Sequence, residues 1–224
     1  MDDAMPSNED ANSQAAVELS DLERRELKQG LVAAVVGAGV DDDASALLTQ
    51  QLAANPDALN PVIQPVLSDP SRLDALRSTG LMQNGASITL DTVALLAAEA
   101  LRAPFVAVSL IDESSELIAG CNVANEAFER VRPASASISK FAVVSGIPFI
   151  VEDAAEHPLM ANHPLVVSGQ VGSYACIPIF SDDDLAVGSL CAWDTRPVEW
   201  TGGQILVLQD MADLASAKIF HRPI

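Results

Sequence analysis

The residues of this chain with the clearest capacity for chemistry are two cysteines, Cys176 and Cys191, which lie on either side of the acidic stretch Asp182–Asp184. Two apolar runs around a polar turn predict a β-hairpin. If the aspartates form the turn, Cys176 faces either Leu190 or Cys191 across the hairpin. In the second register the thiols are a direct cross-strand pair, which oxidation can join as a strained, reducible disulfide. The alternative is that both are small buried core residues.

Histidines and carboxylates offer a second kind of chemistry. His157 and His163 lie in one predicted loop, each before a proline, with Asp153 and Glu156 nearby. A metal pair normally needs closer helical spacing with carboxylate or thiol neighbours, and a His-Pro dipeptide favours extended or turn backbone. The sequence contains no Ser-His-Asp order, phosphate-binding glycine loop or zinc-ligand spacing. We therefore predict no catalytic residue, no metal site and no cofactor.

Composition limits the classes of partner. The chain has 224 residues, 49% of them apolar, and a formal net charge of -19. Such an acidic surface argues against nucleic acid and against anionic membrane as partners. The acidic N-terminus is unlike a signal peptide, and three scattered cysteines do not form a disulfide framework. These features predict a cytoplasmic protein with reduced thiols.

The pattern along the chain predicts three regions. Residues 1–17 are polar, acidic and without periodicity, which predicts a disordered tail. Residues 18–69 predict an all-helical extension, beginning with a capping-box pattern at Ser20 and Glu23. Apolar positions in the extension recur at helical spacing, so we expect it to dock on the main domain or a partner. Residues 70–224 form that main domain.

Within the main domain the apolar periodicity changes from helical to strand-like and back. Strands are predicted at 104–112, 116–122, 148–153 and on both sides of the hairpin turn, and helices at 70–81, 90–103 and 201–220, with 128–146 and 154–169 as loops containing short helices. This α+β order predicts an antiparallel sheet with helices on one face and a half-covered pocket on the other.

Several segments resemble one family in their order and spacing. They are "RLDALRSTGL", "APFVAVSLID", "GIPFIVEDAAEHPLMANHPLV", "YACIPI" and "AVGSLCAWDTRP". From Ser71 to about Phe220 the chain resembles a GAF domain, a relative of the PAS domain that senses small molecules. The resemblance is to the bacterial signalling subgroup found as sensor modules of kinases, cyclases and phosphatases, here as a stand-alone GAF protein. It implies a GAF/PAS-like antiparallel sheet.

The chain also departs from that subgroup. The subgroup often has a cysteine and a histidine in the short helix before its third strand, where this chain has Ser139 and Phe141. Cys176 replaces the usual glycine after the hairpin Tyr-Ala. The Asn-Lys-Phe-Asp-Glu signature of cyclic-nucleotide-binding GAF domains is absent, as is the thiol cluster of GAF-type free methionine sulfoxide reductases.

The resemblance implies a pocket between the sheet and the loops at 123–145 and 154–172. Its candidate residues are Phe141, Asp153, Leu165, Tyr174, Cys176, Ser189 and Cys191. We predict a non-enzymatic cytoplasmic sensor that binds a small ligand or a protein partner and transmits its state through flanking helices. One alternative is a thiol-based redox sensor or redox enzyme that uses the two hairpin cysteines. Another is a ligand-free dimeric scaffold.

The expected partners are a second copy of the chain, an unknown small molecule and a signalling protein. Helices with apolar content at both ends, residues 21–36 and 203–219, favour the homodimer. The resemblance supports it too, because the terminal helices of GAF domains lie side by side and often form a dimer bundle.

Overall fold

The computed structural model describes residues 29–35, 56–123 and 129–220. The predicted tail over 1–17, the beginning of the first predicted helix and the predicted helix over 44–54 lie outside the described residues. Residues 29–35 are helical and are called α1 here. No helix in the described ranges is both long and apolar enough to cross a bilayer.

Short helices precede the sheet. A 3₁₀ turn at Pro56–Leu59 leads into α2, and the helices that follow are α2 (Asn60–Leu67), α3 (Pro70–Ser78), α4 (Leu81–Asn84) and α5 (Ile88–Leu101). Asp69 caps α3, since its side chain accepts a hydrogen bond from the Arg72 backbone N–H at 2.9 Å. Pro70 occupies the first turn of α3, where its missing N–H costs nothing.

The centre of the fold is one antiparallel sheet with the order β3-β2-β1-β6-β5-β4. Its strands are β1 (Phe105–Ile111), β2 (Ser115–Cys121), β3 (Val131–Pro133), β4 (Phe149–Val151), β5 (Ser173–Phe180) and β6 (Ala186–Asp194). The predicted fold class is confirmed. β3 lies in a segment predicted as loop, because a strand that short carries no readable alternation.

Helices cover one face of the sheet. On this face α5 packs with α8 (Gly202–Ile219) over the inward apolar side chains of β1, β5 and β6. Thr201 begins α8 with a capping box: its hydroxyl accepts from the Gln204 backbone N–H at 3.3 Å.

The opposite face is covered by shorter elements. They are the 3₁₀ turn Ala134–Ala136, α6 (Lys140–Ser145) and α7 (Pro164–Val167), together with α1 and α2. Leu31 and Ile63 from the extension are buried in the same apolar cluster as Phe149 of β4. The described parts of the extension therefore dock on the sheet, as the sequence predicted.

Alternation along β5 separates the two faces. Ala175, Ile177 and Ile179 belong to the helix-covered cluster, whereas Tyr174 and Cys176 belong to the cluster on the other side. The sequence left open which face Tyr174 and Cys176 occupy, and the structure places both on the loop-covered face.

Candidate ligand-binding site

A cavity of about 90 Å³ lies between the sheet and the loops and short helices that cover its second face. Its lining residues are Ala107, Ile118, Arg132, Ile138, Leu165, Gln170, Val171, Tyr174, Cys191 and Trp193. Five strands supply the floor, while the segment before α6, helix α7 and the loop before β5 supply the roof. We call this space the Arg132 cavity, after the one charged side chain that lines it within the described ranges.

The charge of Arg132 is held by a buried carboxylate. Arg132 and Glu116 are Cα partners across β3 and β2, and Arg132 Nε donates to Glu116 Oε2 at 2.6 Å. The Glu116 side chain is fully buried, and its other oxygen accepts from Ser137 Oγ at 2.9 Å. Burial disfavours the charged guanidinium, but the Coulombic attraction and hydrogen bond of Glu116 outweigh it and raise the pKa of Arg132. The pair thus fixes a charged, oriented guanidinium beside the cavity.

A row of polar atoms continues along the cavity wall. The Ser139 hydroxyl lies 2.9 Å from the Tyr174 hydroxyl and 3.4 Å from Cys191 Sγ. Cys191 Sγ also lies 3.5 Å from the Ala107 carbonyl oxygen. Because buried polar groups need partners, these contacts allow hydroxyl and thiol groups to line an otherwise apolar space.

The two hairpin thiols differ in their ionisation. Burial raises the pKa of Cys176 well above its ordinary value. Hydrogen bonds from Cys176, and then from Ser139 and Tyr174, lower the pKa of Cys191 to about 7 in spite of burial. Cys191 is therefore the thiol of the pair that ionises more readily, and it is also the one that lines the cavity.

Two histidines attach the roof segment to neighbouring elements in the same way. Nδ1 of His157 accepts from the Leu159 backbone N–H at 3.2 Å, and Nε2 faces the Ala34 carbonyl oxygen of α1 at 3.0 Å. His163 repeats this arrangement with Leu165 and with Ala136. Since Nδ1 is an acceptor in both rings, the proton is assigned to Nε2. Each neutral ring thus clamps its own turn to a distant backbone carbonyl.

The structure brings three of the seven predicted pocket residues to the Arg132 cavity, namely Leu165, Tyr174 and Cys191. Cys176 and Ser189 are fully buried in the strands beside it and do not line it.

The other two predicted residues lie elsewhere. Phe141 packs edge-on against Phe149 with a centroid separation of 5.6 Å, and it lines a separate cavity of about 300 Å³ with Lys140 and His163. Asp153 accepts a hydrogen bond from the Ala155 backbone N–H at 3.0 Å, as a turn-forming aspartate does.

Sequence reasoning missed Arg132 as a site residue. Its strand is three residues long, and its partner Glu116 stands at the beginning of an apolar strand. The carboxylate in this apolar strand is the sequence feature that could have indicated the site, since a buried acid needs a cation or hydrogen-bond donors close by.

A metal site is not assembled in the described ranges, where no three His, Cys, Asp or Glu residues come together as ligands. All three cysteines are free thiols and are buried.

Comparisons with known proteins agree with this architecture. A family model described as the GAF domain matches residues 87–219. This chain belongs to the GAF family, whose domains are commonly sensory or regulatory modules. No match was found among curated proteins.

Solved structures with the same fold have low sequence identity to this chain. The GAF domain from an Acinetobacter phosphoenolpyruvate-protein phosphotransferase is 16% identical, with a TM-score of 0.50 over 68% of this chain and 95% of that one. A free methionine-R-sulfoxide reductase from Neisseria meningitidis, solved with its substrate, is 20% identical, with a TM-score of 0.48 over 76% of this chain and 90% of that one. The type II reductase from Thermoplasma acidophilum is 11% identical, with a TM-score of 0.49 over 58% and 89%. At these identities the comparison describes the fold alone.

Proposed function

We propose that this protein is a cytoplasmic, non-enzymatic GAF sensor that binds a small molecule in the Arg132 cavity. Occupancy is passed through the flanking helices to a protein partner. The observation that carries the proposal is the cavity itself, which combines apolar walls with a few fixed polar groups, as small-molecule sites do. The cytoplasmic location is supported by free thiols that face each other across the hairpin, since such a pair stays reduced in a reducing compartment.

A route from the cavity to the N-terminal helices is built into the roof. Leu165 and Val171 line the cavity, and His157, which precedes them in the same segment, bonds to Ala34 of α1. A ligand that contacts the roof differently in two conformations would shift the balance between them. The shift would reach α1 through the His157 bond.

The cavity limits the size of the ligand. Its volume of about 90 Å³ is below the ~150 Å³ of an apolar cavity that takes up benzene. The ligand therefore has only a handful of non-hydrogen atoms, unless the roof opens to admit a larger one.

The test is a thermal-shift screen of small metabolites against the full chain, with and without the cavity. Ala107→Leu places a larger side chain in the cavity from β1, and Ala155→Leu makes the same change in an exposed turn as the matched control. We expect a stabilising compound for the wild type and for Ala155→Leu, and none for Ala107→Leu. Hydrogen exchange should then slow in α1 and α8 when the compound is added. A screen without any stabilising compound would favour the ligand-free scaffold instead.

A redox function is the second candidate, because Cys176 and Cys191 are direct Cα partners. Hydrogen peroxide would take two electrons and two protons from the two thiols, leaving a disulfide and two water molecules. Cross-strand Cβ atoms are usually wider apart than ~3.8 Å, so such a bond would be strained and easily reduced. Mass spectrometry after mild peroxide treatment tests this: two thiols that still alkylate on denaturation would leave the hairpin as structure alone.

A further inference from the structure

We propose that the ligand of the Arg132 cavity is a small organic carboxylate, bound through its carboxylate to the Arg132 guanidinium. This inference rests on the proposed function, which assigns a ligand to that cavity, and it adds the chemical class.

The first argument is the geometry of Arg132. Nε is committed to Glu116 at 2.6 Å, and Glu116 is in turn held by Ser137. Among the described residues, none accepts a hydrogen bond from Nη1 or Nη2. A planar guanidinium fixed at Nε presents its two terminal amino groups as a fork, which matches the two oxygens of a carboxylate.

The second argument is the remaining lining. Beyond Arg132 the walls are mainly apolar, with Ala107, Ile118 and Ile138 among them, and the Tyr174 hydroxyl lies on one side. An inorganic anion has no apolar part, so it would make no apolar contact with these walls. A carboxylate with a short carbon chain suits both the charged end of the 90 Å³ space at Arg132 and its apolar remainder.

Isothermal titration calorimetry with propionate as the probe, on the full chain, tests the inference. Propanamide is the neutral isostere and nitrate the inorganic anion. Arg132→Gln removes the charge, and Arg132→Lys keeps the charge without the fork. Arg196→Gln removes an exposed positive charge outside the Arg132 cavity and is the matched control. Because Arg132→Gln leaves Glu116 buried without its cation, Arg132→Gln with Glu116→Gln is made too, and circular dichroism reports folding of every variant.

We expect propionate to bind the wild type and Arg196→Gln with a Kd on the order of 1 mM or tighter. Binding should weaken by at least about tenfold in both Arg132→Gln proteins, and by less in Arg132→Lys. Propanamide and nitrate should bind more weakly than propionate.

Two results would overturn the inference in different ways. If propanamide binds as tightly as propionate, or the folded Arg132→Gln variants bind like the wild type, the ligand class is wrong while the proposed sensor function stands. If propionate, propanamide and the metabolite screen all give no binding, the carboxylate inference and the proposed function both fail.

Discussion

Cys176 and Cys191 are direct partners across β5 and β6, and the same row of the sheet continues through Ala107 to Cys121. All three thiols therefore lie on one face, with Ala107 between Cys191 and Cys121. The pairing of Cys176 with Cys191 confirms one of the two hairpin registers that the sequence predicted. It also explains the lowered pKa of Cys191, because the Cys176 thiol donates a hydrogen bond to the Cys191 sulfur.

The three thiols should react in a definite order. We expect Cys191 to react first with iodoacetamide near neutral pH, because it lines the cavity and its pKa is lowered to about 7. Burial raises the pKa of both Cys176 and Cys121, so these two should react slowly. A time course of alkylation with peptide mass mapping measures the order. Labelling of Cys121 before Cys191 would contradict it.

Arg72 should be essential for attaching the extension to the sheet. It is 2% exposed, and its guanidinium donates to the carbonyls of Val66 at 3.1 Å and Ile111 at 2.7 Å, and to that of Leu67. Arg72→Met leaves these carbonyls without donors, so we expect a loss of about 3 kcal/mol in the free energy of unfolding by denaturant. The control is Arg77→Met in the same helix, where the side chain is exposed and the change should stay within about 0.5 kcal/mol. Equal effects of the two substitutions would count against this account.

Acid should loosen the roof through His157 and His163. Burial lowers the pKa of both below the ordinary 6.5, and for His163 the nearby Lys140 and Arg132 add to the lowering, while Glu116 opposes it. The unfolded chain therefore binds protons that the folded chain does not, and the free energy of unfolding falls as pH drops below about 6.5. Asp112 and Asp194 have pKa values lowered from 3.8, so their contribution is lost only at more acidic pH.

Denaturant unfolding across this pH range measures the effect. His157→Gln and His163→Gln should each flatten the decline between neutral and mildly acidic pH. An unchanged slope in the double variant would assign the decline to other groups.

Gly188 is required by the close approach of β6 to β1. A Cβ added there would lie 2.1 Å from the Ser109 carbonyl oxygen, which is backbone and cannot move aside cheaply. Gly188→Ala should cost about 3 kcal/mol of stability. Gly202→Ala is the matched control, because nothing lies within 4 Å of the added Cβ at the beginning of α8. There we expect no loss, or a gain of up to ~1 kcal/mol from helix propensity.

The homodimer stays a prediction, and the structure suggests where to test it. Ile88 is 85% exposed, Leu95 and Leu96 are each nearly half exposed on the same helix α5, and Leu206 is 64% exposed on α8. Light scattering should give twice the mass of one chain, and Leu95→Glu with Leu96→Glu should give one. A wild-type mass of one chain at high micromolar concentration would refute the dimer.

The sheet, its helix-covered face and the hairpin, in one of two registers, were readable from the sequence because they depend on periodicity. Alternation placed Tyr174 and Cys176 on one face of β5, and Thr201, a residue type that caps helices, indicated where α8 begins. The Arg132 cavity was not readable, since it depends on distances between segments that periodicity does not encode. Arg132 meets Glu116 only because β3 pairs with β2 in one particular register. Likewise Ile138 and Val171 come together through the folding of loops.

Alternation along β6 has a mechanical meaning. Cys191 borders the cavity, while its chain neighbours Leu190 and Ala192 pack in the cluster covered by α5 and α8. A single layer of sheet thus separates the candidate ligand from helices α5 and α8. A displacement of Cys191 is already a displacement of the peptide units that carry the helix packing. A ligand in the cavity would therefore act on the packing of α5 and α8 without a long chain of side-chain contacts, because the side chains on both faces are attached to the same backbone.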